Sequence, residues 1–131
     1  MPLQVTSAAE AEMLAHAAAA HPLEACGLLL GRGRRLAAVT RAANVHPDPG
    51  RHFEIDPRAL IAAHRAARGG GPEVLGYWHS HPAGPPEPSA ADRANAAGDG
   101  KVWAIVGAGT VGWWRDAAGG FEPLSYTASG R

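Results

Sequence analysis

Cysteine occurs once, as Cys26, in a chain of 131 residues. A single thiol closes no internal disulfide, so the chain does not read as a disulfide-stapled secreted scaffold. Structural zinc sites built on two or more cysteines are excluded with it. Net charge is also missing, because 12 Lys and Arg balance 12 Asp and Glu. Nothing in that balance draws the chain to nucleic acid or to a membrane surface. The local cluster Arg32, Arg34 and Arg35 reads as a solvated turn between strands. No run of about 18 apolar residues offers a membrane span. The first twenty residues carry Glu10, Glu12 and His16 and lack a basic stretch followed by an apolar one, so they do not read as a signal peptide. A soluble cytoplasmic protein is expected, and the length suits one domain, residues 1–131, around one core. Alanine supplies much of the 46% apolar share, so the larger apolar side chains must be concentrated in a few strands.

Ser7-Ala8-Ala9-Glu10 has the form of a helix capping box, with Ser7 at the N-cap. Met13, Leu14, Ala17 and Ala18 follow at helical spacing, and Pro22 ends the helix near His21. Cys26 to Leu30, closed by Gly31 and Gly33, reads as a buried strand, with Leu36 to Arg41 as its hairpin partner. Asn44 to His52 is a polar, proline-containing loop, and Phe53 and Ile55 alternate as a short strand would. Asp56-Pro57 starts a second helix that runs to about Arg68, where Gly69-Gly70-Gly71-Pro72 stops it. Val74 to His79 is another strand. Four prolines between His81 and Pro88 exclude regular structure. Ser89-Ala90-Ala91-Asp92 caps a third helix, to about Ala97. Val102–Val106, Val111–Trp114 and Phe121–Ser125 are expected as closing strands. This order predicts an α+β or α/β sandwich with a mixed sheet and about three helices.

The strongest chemical signal is His79-Ser80-His81, then ten residues, then Asp92. Strand side chains alternate, so histidines at i and i+2 point the same way. A short loop can return an acid to the same spot. Two imidazoles and a carboxylate leave one tetrahedral position for water, as in catalytic zinc sites. Iron(II) also takes two histidines and a carboxylate, so the ligand set by itself leaves the metal open.

These residues, together with Glu24 upstream, resemble the JAMM or MPN-plus (Mov34/MPN/PAD-1) metallopeptidases in their short prokaryotic form. The family pattern is a glutamate, a variable gap, His-x-His, ten residues and an aspartate. The flanks agree: Pro22-Leu23-Glu24-Ala25-Cys26-Gly27 around the glutamate, His79-Ser80-His81-Pro82 at the histidines, and Pro88-Ser89-Ala90-Ala91-Asp92 at the acid, with Asn44 and Phe53-Glu54-Ile55-Asp56-Pro57 between. The resemblance spans roughly Ser7 to Leu124. It implies a cytidine-deaminase-like, MPN architecture with a partly barrel-like mixed sheet. It implies one zinc ion per chain, held by His79, His81 and Asp92 with a water as fourth ligand. Glu24 would serve as the general base, and Ser89 would hydrogen-bond the oxyanion. The implied reaction is hydrolysis of a peptide or isopeptide bond after the glycine-ended tail of a ubiquitin-like or sulfur-carrier protein, and it leaves a homo-oligomer open. Two other readings stand beside it: a non-catalytic MPN interaction scaffold, and a metal-dependent amidase acting on a small molecule.

Other signals carry less. Gly107-Ala108-Gly109-Thr110-Val111-Gly112 matches a dinucleotide-binding pattern, but Val111 to Trp114 reads as a strand where that motif opens a helix. A glycine-rich hairpin explains it better. Cys26 reads as a small buried strand residue. His46, His52 and His64 read as loop or surface residues without a partner at metal spacing. Trp103, Trp113 and Trp114 read as packing. Zinc deaminases are excluded by the missing Pro-Cys-x-x-Cys pair.

Overall fold

Leu28, Leu29 and Leu30 leave no polar face, and a segment apolar on both sides belongs where both faces of a sheet are covered. In the computed structural model, which describes residues 2–129, they lie in β2 (Cys26–Arg32), near the middle of an eight-stranded mixed sheet. β2 pairs antiparallel with β3 (Arg35–Ala42) on one side and with β4 (Glu73–Ser80) on the other. The remaining strands are β1 (Leu3–Thr6), β5 (Val102–Gly107), β6 (Thr110–Ala117), β7 (Gly120–Pro123) and β8 (Tyr126–Ser129), in the order β7-β6-β5-β4-β2-β3-β1-β8. Met1, Gly130 and Arg131, which the expected domain 1–131 includes, lie outside the described residues.

Alternation along the strands divides the core in two. Leu29 of β2 and Trp78 of β4 face α1 (Ser7–Ala20), whose Ala9 and Met13 join Leu3, Val5, Leu36 and Trp113 in the larger cluster. Cys26, Leu28 and Tyr77 face the other way, toward α2 (Pro57–Arg68), and pack with Ile55, Ala59, Leu60 and Ala63. His79 shares the parity of Tyr77, so it points to the α2 side. Gly27 is required where β2 passes Trp78, because a Cβ there would collide with the Thr40 carbonyl oxygen and Trp78 Nε1. Those two atoms are hydrogen-bonded at 2.8 Å.

Several expectations need correction. The N-cap of α1 is Thr6, whose Oγ1 accepts from Ala9 N at 3.2 Å, and Ser7 is already helical. Thr6 ends β1 with extended backbone, the conformation an N-cap requires. β1 itself was not anticipated. Phe53–Ile55 forms no strand but one isolated bridge, Ile55 to Asn44. The third helix, α3, covers Ala90–Asn95 rather than reaching Ala97. The main-chain N–H groups of Ala97 and Gly98 turn away to donate to the buried Asp116 carboxylate at 3.0 and 3.1 Å.

Phe121–Ser125 is not one strand either. β7 and β8 lie at opposite ends of the strand order, yet only Leu124 and Ser125 join them. A two-residue link between the ends means the sheet curls back on itself. Leu124 N donates to the Trp113 carbonyl at 2.9 Å, Leu3 N to the Ser125 carbonyl at 3.1 Å, and the rings of Trp113 and Tyr126 meet at 5.6 Å. The partly barrel-like sheet is therefore present. Gly107–Gly112 forms the β5–β6 hairpin, with Ala108 and Gly109 at positive φ in its two-residue turn, which suits a type I′ geometry. Among the described residues no helix is long and apolar enough to cross a membrane.

Candidate metal centre

β4 delivers the two histidines. His79 is its penultimate residue, and His81 follows it, with its N–H bonded to the Val106 carbonyl of β5 at 2.7 Å. Both side chains emerge on one side. The proline-rich segment then returns the chain to α3, and two bonds hold that segment: His81 Nδ1 to the Pro85 carbonyl at 2.8 Å, and Trp114 Nε1 donating to the Pro86 carbonyl at 3.1 Å. Ser89 is the N-cap of α3 and Asp92 its N3 residue, in a reciprocal capping box. Ser89 N donates to Asp92 Oδ2 at 2.9 Å, which aims the carboxylate.

The three donors converge. His79 Nε2 lies 3.2 Å from His81 Nε2 and 3.0 Å from Asp92 Oδ1, and His81 Nε2 lies 3.1 Å from Asp92 Oδ2. Among the described residues, this is the one group of three or more such side chains gathered this closely. A tetrahedral metal with ligands at about 2.0–2.1 Å needs donor atoms about 3.3 Å apart, so the spacing fits. The tautomer fits as well. His81 Nδ1 faces a carbonyl, so in the neutral ring a proton held there leaves Nε2 with a lone pair for a metal. Two imidazole nitrogens and a carboxylate around one point require a proton or a cation between them.

The electrostatics follow from this packing. Burial alone would raise the Asp92 carboxyl, but hydrogen bonds from both imidazoles and the Ser89 N–H outweigh it and hold the group well below the usual carboxylate range. Burial keeps His79 below the ordinary histidine value despite Asp92. For His81 the bonds to Asp92 and the Pro85 carbonyl overcome burial and raise it. His79 is fully buried, and its Nδ1 has no hydrogen-bond partner among the described residues. Its ring is oriented by packing instead: Phe53 stacks on it at 4.2 Å and Trp103 meets it edge-on at 5.7 Å. Trp103 was expected to be packing, and this ring is part of what it packs against.

Glu24 sits between α1 and β2, outside any helix or strand, and is 7% exposed. It lines a cleft of about 350 Å³ together with His81, Ser89, Arg51 and the turn at Gly84 and Pro85. Burial pushes its carboxyl up to about 7; His81 pulls it down and Asp92 and Asp48 push it further up. Five predicted site residues thus meet: three as a donor cluster, Glu24 and Ser89 on the cleft beside it. Ser89 Oγ accepts from Asp92 N at 3.1 Å, and a hydroxyl that accepts one bond still has a proton to donate.

The placement of Glu24 depends on Ser80, which sequence reasoning passed over. Ser80 Oγ accepts from Ala25 N at 2.8 Å, and Ser80 N donates to the Ala25 carbonyl at 3.0 Å. The signal was available: a residue between two same-facing histidines must face the opposite side of the strand. The rings of His46 and His52 lie 4.7 Å apart, and among the described residues neither belongs to a group of three or more potential metal ligands.

Residues 6–117 match the family model of prokaryotic homologs of the JAB domain. The chain belongs to the prokaryotic JAB family. A desampylase of Haloferax volcanii is 34% identical over 109 residues, covering 79% of this chain and 78% of that one. A Thermus thermophilus protein described as a probable TtuB-protein conjugate cleaving protease is 41% identical over 85 residues, covering 65% of this chain and 57% of the relative. Among solved structures, a Desulfitobacterium hafniense protein superposes with a TM-score of 0.86 at 32% identity, covering 98% of this JAB-family chain and 94% of that protein.

Proposed function

We propose that this JAB-family chain, acting as a single cytoplasmic domain, is a zinc-dependent isopeptidase. Its substrate would be a conjugate made through the C-terminal tail of a ubiquitin-like or sulfur-carrier protein. The metallopeptidase class rests on the family and on relatives named as a desampylase and a conjugate-cleaving protease. The observation that carries the reading is the convergence of His79, His81 and Asp92 beside a cleft that Glu24 and Ser89 also line.

His79, His81 and Asp92 would hold the ion. When bound, zinc lowers the pKa of water toward about 7 and polarises a carbonyl oxygen. Glu24 has the attributes of the general base: a buried carboxyl held at about 7, near the pH at which it would work. It would take a proton from the attacking water as the new C–O bond forms. It would then return that proton to the amine nitrogen as the C–N bond breaks. The Ser89 hydroxyl would donate to the carbonyl oxygen as charge develops there, a contribution of about 3 kcal/mol for one donor.

The test uses purified protein and a probe in which a peptide ending in Gly-Gly is joined to a lysine ε-amine. Wild type should carry one zinc by elemental analysis and cleave the probe. Glu24→Gln should keep zinc and lose nearly all cleavage, and His79→Ala should lose both. Protein without stoichiometric zinc or cleavage would instead be an interaction scaffold. Equal cleavage of free dipeptides would point to a small-molecule amidase.

A further inference from the structure

The loop between β3 and α2 is tied together by one amide. Asn44 Nδ2 donates to the Glu24 carbonyl and to the His52 carbonyl, each at 3.0 Å. Its Oδ1 accepts from His46 N at 3.1 Å and from Glu54 N at 3.0 Å. Two donors and two lone pairs are all that an amide side chain has, and Asn44 uses every one.

Two of these bonds close the loop on itself at the acceptor end, and one crosses its base to His52. The fourth reaches twenty residues back in sequence, to the peptide of Glu24. That peptide belongs to no helix or strand, so no ladder holds it. Its N–H donates to the Pro49 carbonyl at 2.8 Å, and its carbonyl accepts from Asn44. Both main-chain bonds of Glu24 therefore come from this one loop. The same loop contributes Gly50 and Arg51 to the cleft wall and Phe53 to the face of His79. The next residue, Ala25, is fixed from the other side by Ser80 of β4.

We propose that Asn44 is a positioning residue: by holding the Glu24 carbonyl and the loop that bonds the Glu24 N–H, it sets where the Glu24 carboxyl stands relative to His79, His81 and Asp92. This rests on the reading of Glu24 as general base. A displacement of about 1 Å at a reacting group costs about 100-fold in rate, and loss of the Asn44 amide removes the bond that holds the Glu24 carbonyl.

A double-mutant cycle on the zinc-loaded enzyme, with the same Gly-Gly isopeptide probe, tests it. Asn44→Ala should lower kcat by about 30- to 100-fold, with zinc content kept and KM changed by less than about threefold. In the Glu24→Gln background, Asn44→Ala should cause no further loss. Asn44→Asp keeps the two accepted bonds and removes both donated ones, so it should behave like the alanine variant and serves where alanine fails to fold. Val39→Ala, a core change in β3, should lower melting temperature without lowering kcat. Independently of activity, exchange of the Glu24 amide proton should accelerate at least tenfold in Asn44→Asp while amides of β5 keep their protection.

An equal fractional loss in wild-type and Glu24→Gln backgrounds would overturn the proposal, as would full turnover by Asn44→Asp or unchanged exchange at Glu24. Glu24→Gln with wild-type turnover would instead remove Glu24 as the base, and the exchange result would still decide whether Asn44 holds its peptide.

Discussion

Replacing Glu24 by glutamine should stabilise the metal-free protein near neutral pH while abolishing its activity. The carboxyl is 7% exposed and its pKa is pushed from 4.5 up to about 7, chiefly by burial. At about 1.4 kcal/mol per pH unit, that rise means the charged form is disfavoured in the folded state by roughly 3 kcal/mol. The sign follows from proton counts. Below pH 4.5 the group is neutral in both folded and unfolded chains, and no penalty exists. Between 4.5 and about 7 the unfolded chain has lost the proton and the folded one retains it, so stability falls as pH rises. Above 7 the whole penalty is present. Glutamine has no such titration. Urea melts with chelator at pH 4 and pH 8 read the effect: the two proteins should agree within error at pH 4, and the variant should be about 2–3 kcal/mol more stable at pH 8, or about 10 °C in melting temperature. His79, His81 and Asp92 are present in both proteins, so the difference reports the Glu24 charge together with its coupling to His81 and Asp92. A difference that does not change with pH, or a wild type more stable than the variant at pH 8, would refute the burial argument.

Three further outcomes follow from the packing. Ser89→Ala removes the α3 cap, which should cost about 1 kcal/mol; turnover should fall about 100-fold or more, and a melting temperature that collapses while specific activity survives would leave Ser89 with capping alone. The Cys26 thiol is fully buried and its pKa is pushed up to about 12, by burial first and then by Glu24. Native protein at pH 8 should therefore resist iodoacetamide, with alkylation tracking unfolding, and rapid labelling of folded protein would contradict this. Gly27→Ala drives a methyl into the Thr40 carbonyl and the Trp78 indole, so urea denaturation should show a loss of 3 kcal/mol or more, above the usual range of about 1–3 kcal/mol for overpacking because backbone is struck; a variant within error of wild type would show that β2 and β3 can part there.

Local chemistry was legible where neighbouring residues decide the outcome. Asp56-Pro57 at one end and Gly69-Gly70 at the other bound α2 as expected. The same holds for Ser89 and Asp92, because a capping box is satisfied within four residues. The shared direction of His79 and His81 follows from strand alternation alone. The cap of α1 slipped by one residue because Thr6 and Ser7 are chemically equivalent caps. β1, on the sheet between β3 and β8, decided which of them has extended backbone.

The pattern of donors, the apolar β2 segment, the ends of α2 and the cap of α3 were thus determined by the sequence by itself, since each depends on contacts a few residues long. Three things waited for tertiary structure: the split of Phe121–Ser125 between opposite ends of a curled sheet, the burial that moves Glu24, and the bonds by which Asn44 and Ser80 hold its peptide. Each joins segments from about twenty to more than a hundred residues apart. No propensity or spacing encodes such contacts, because loop closure lets the same local patterns meet in many arrangements until the whole core selects one.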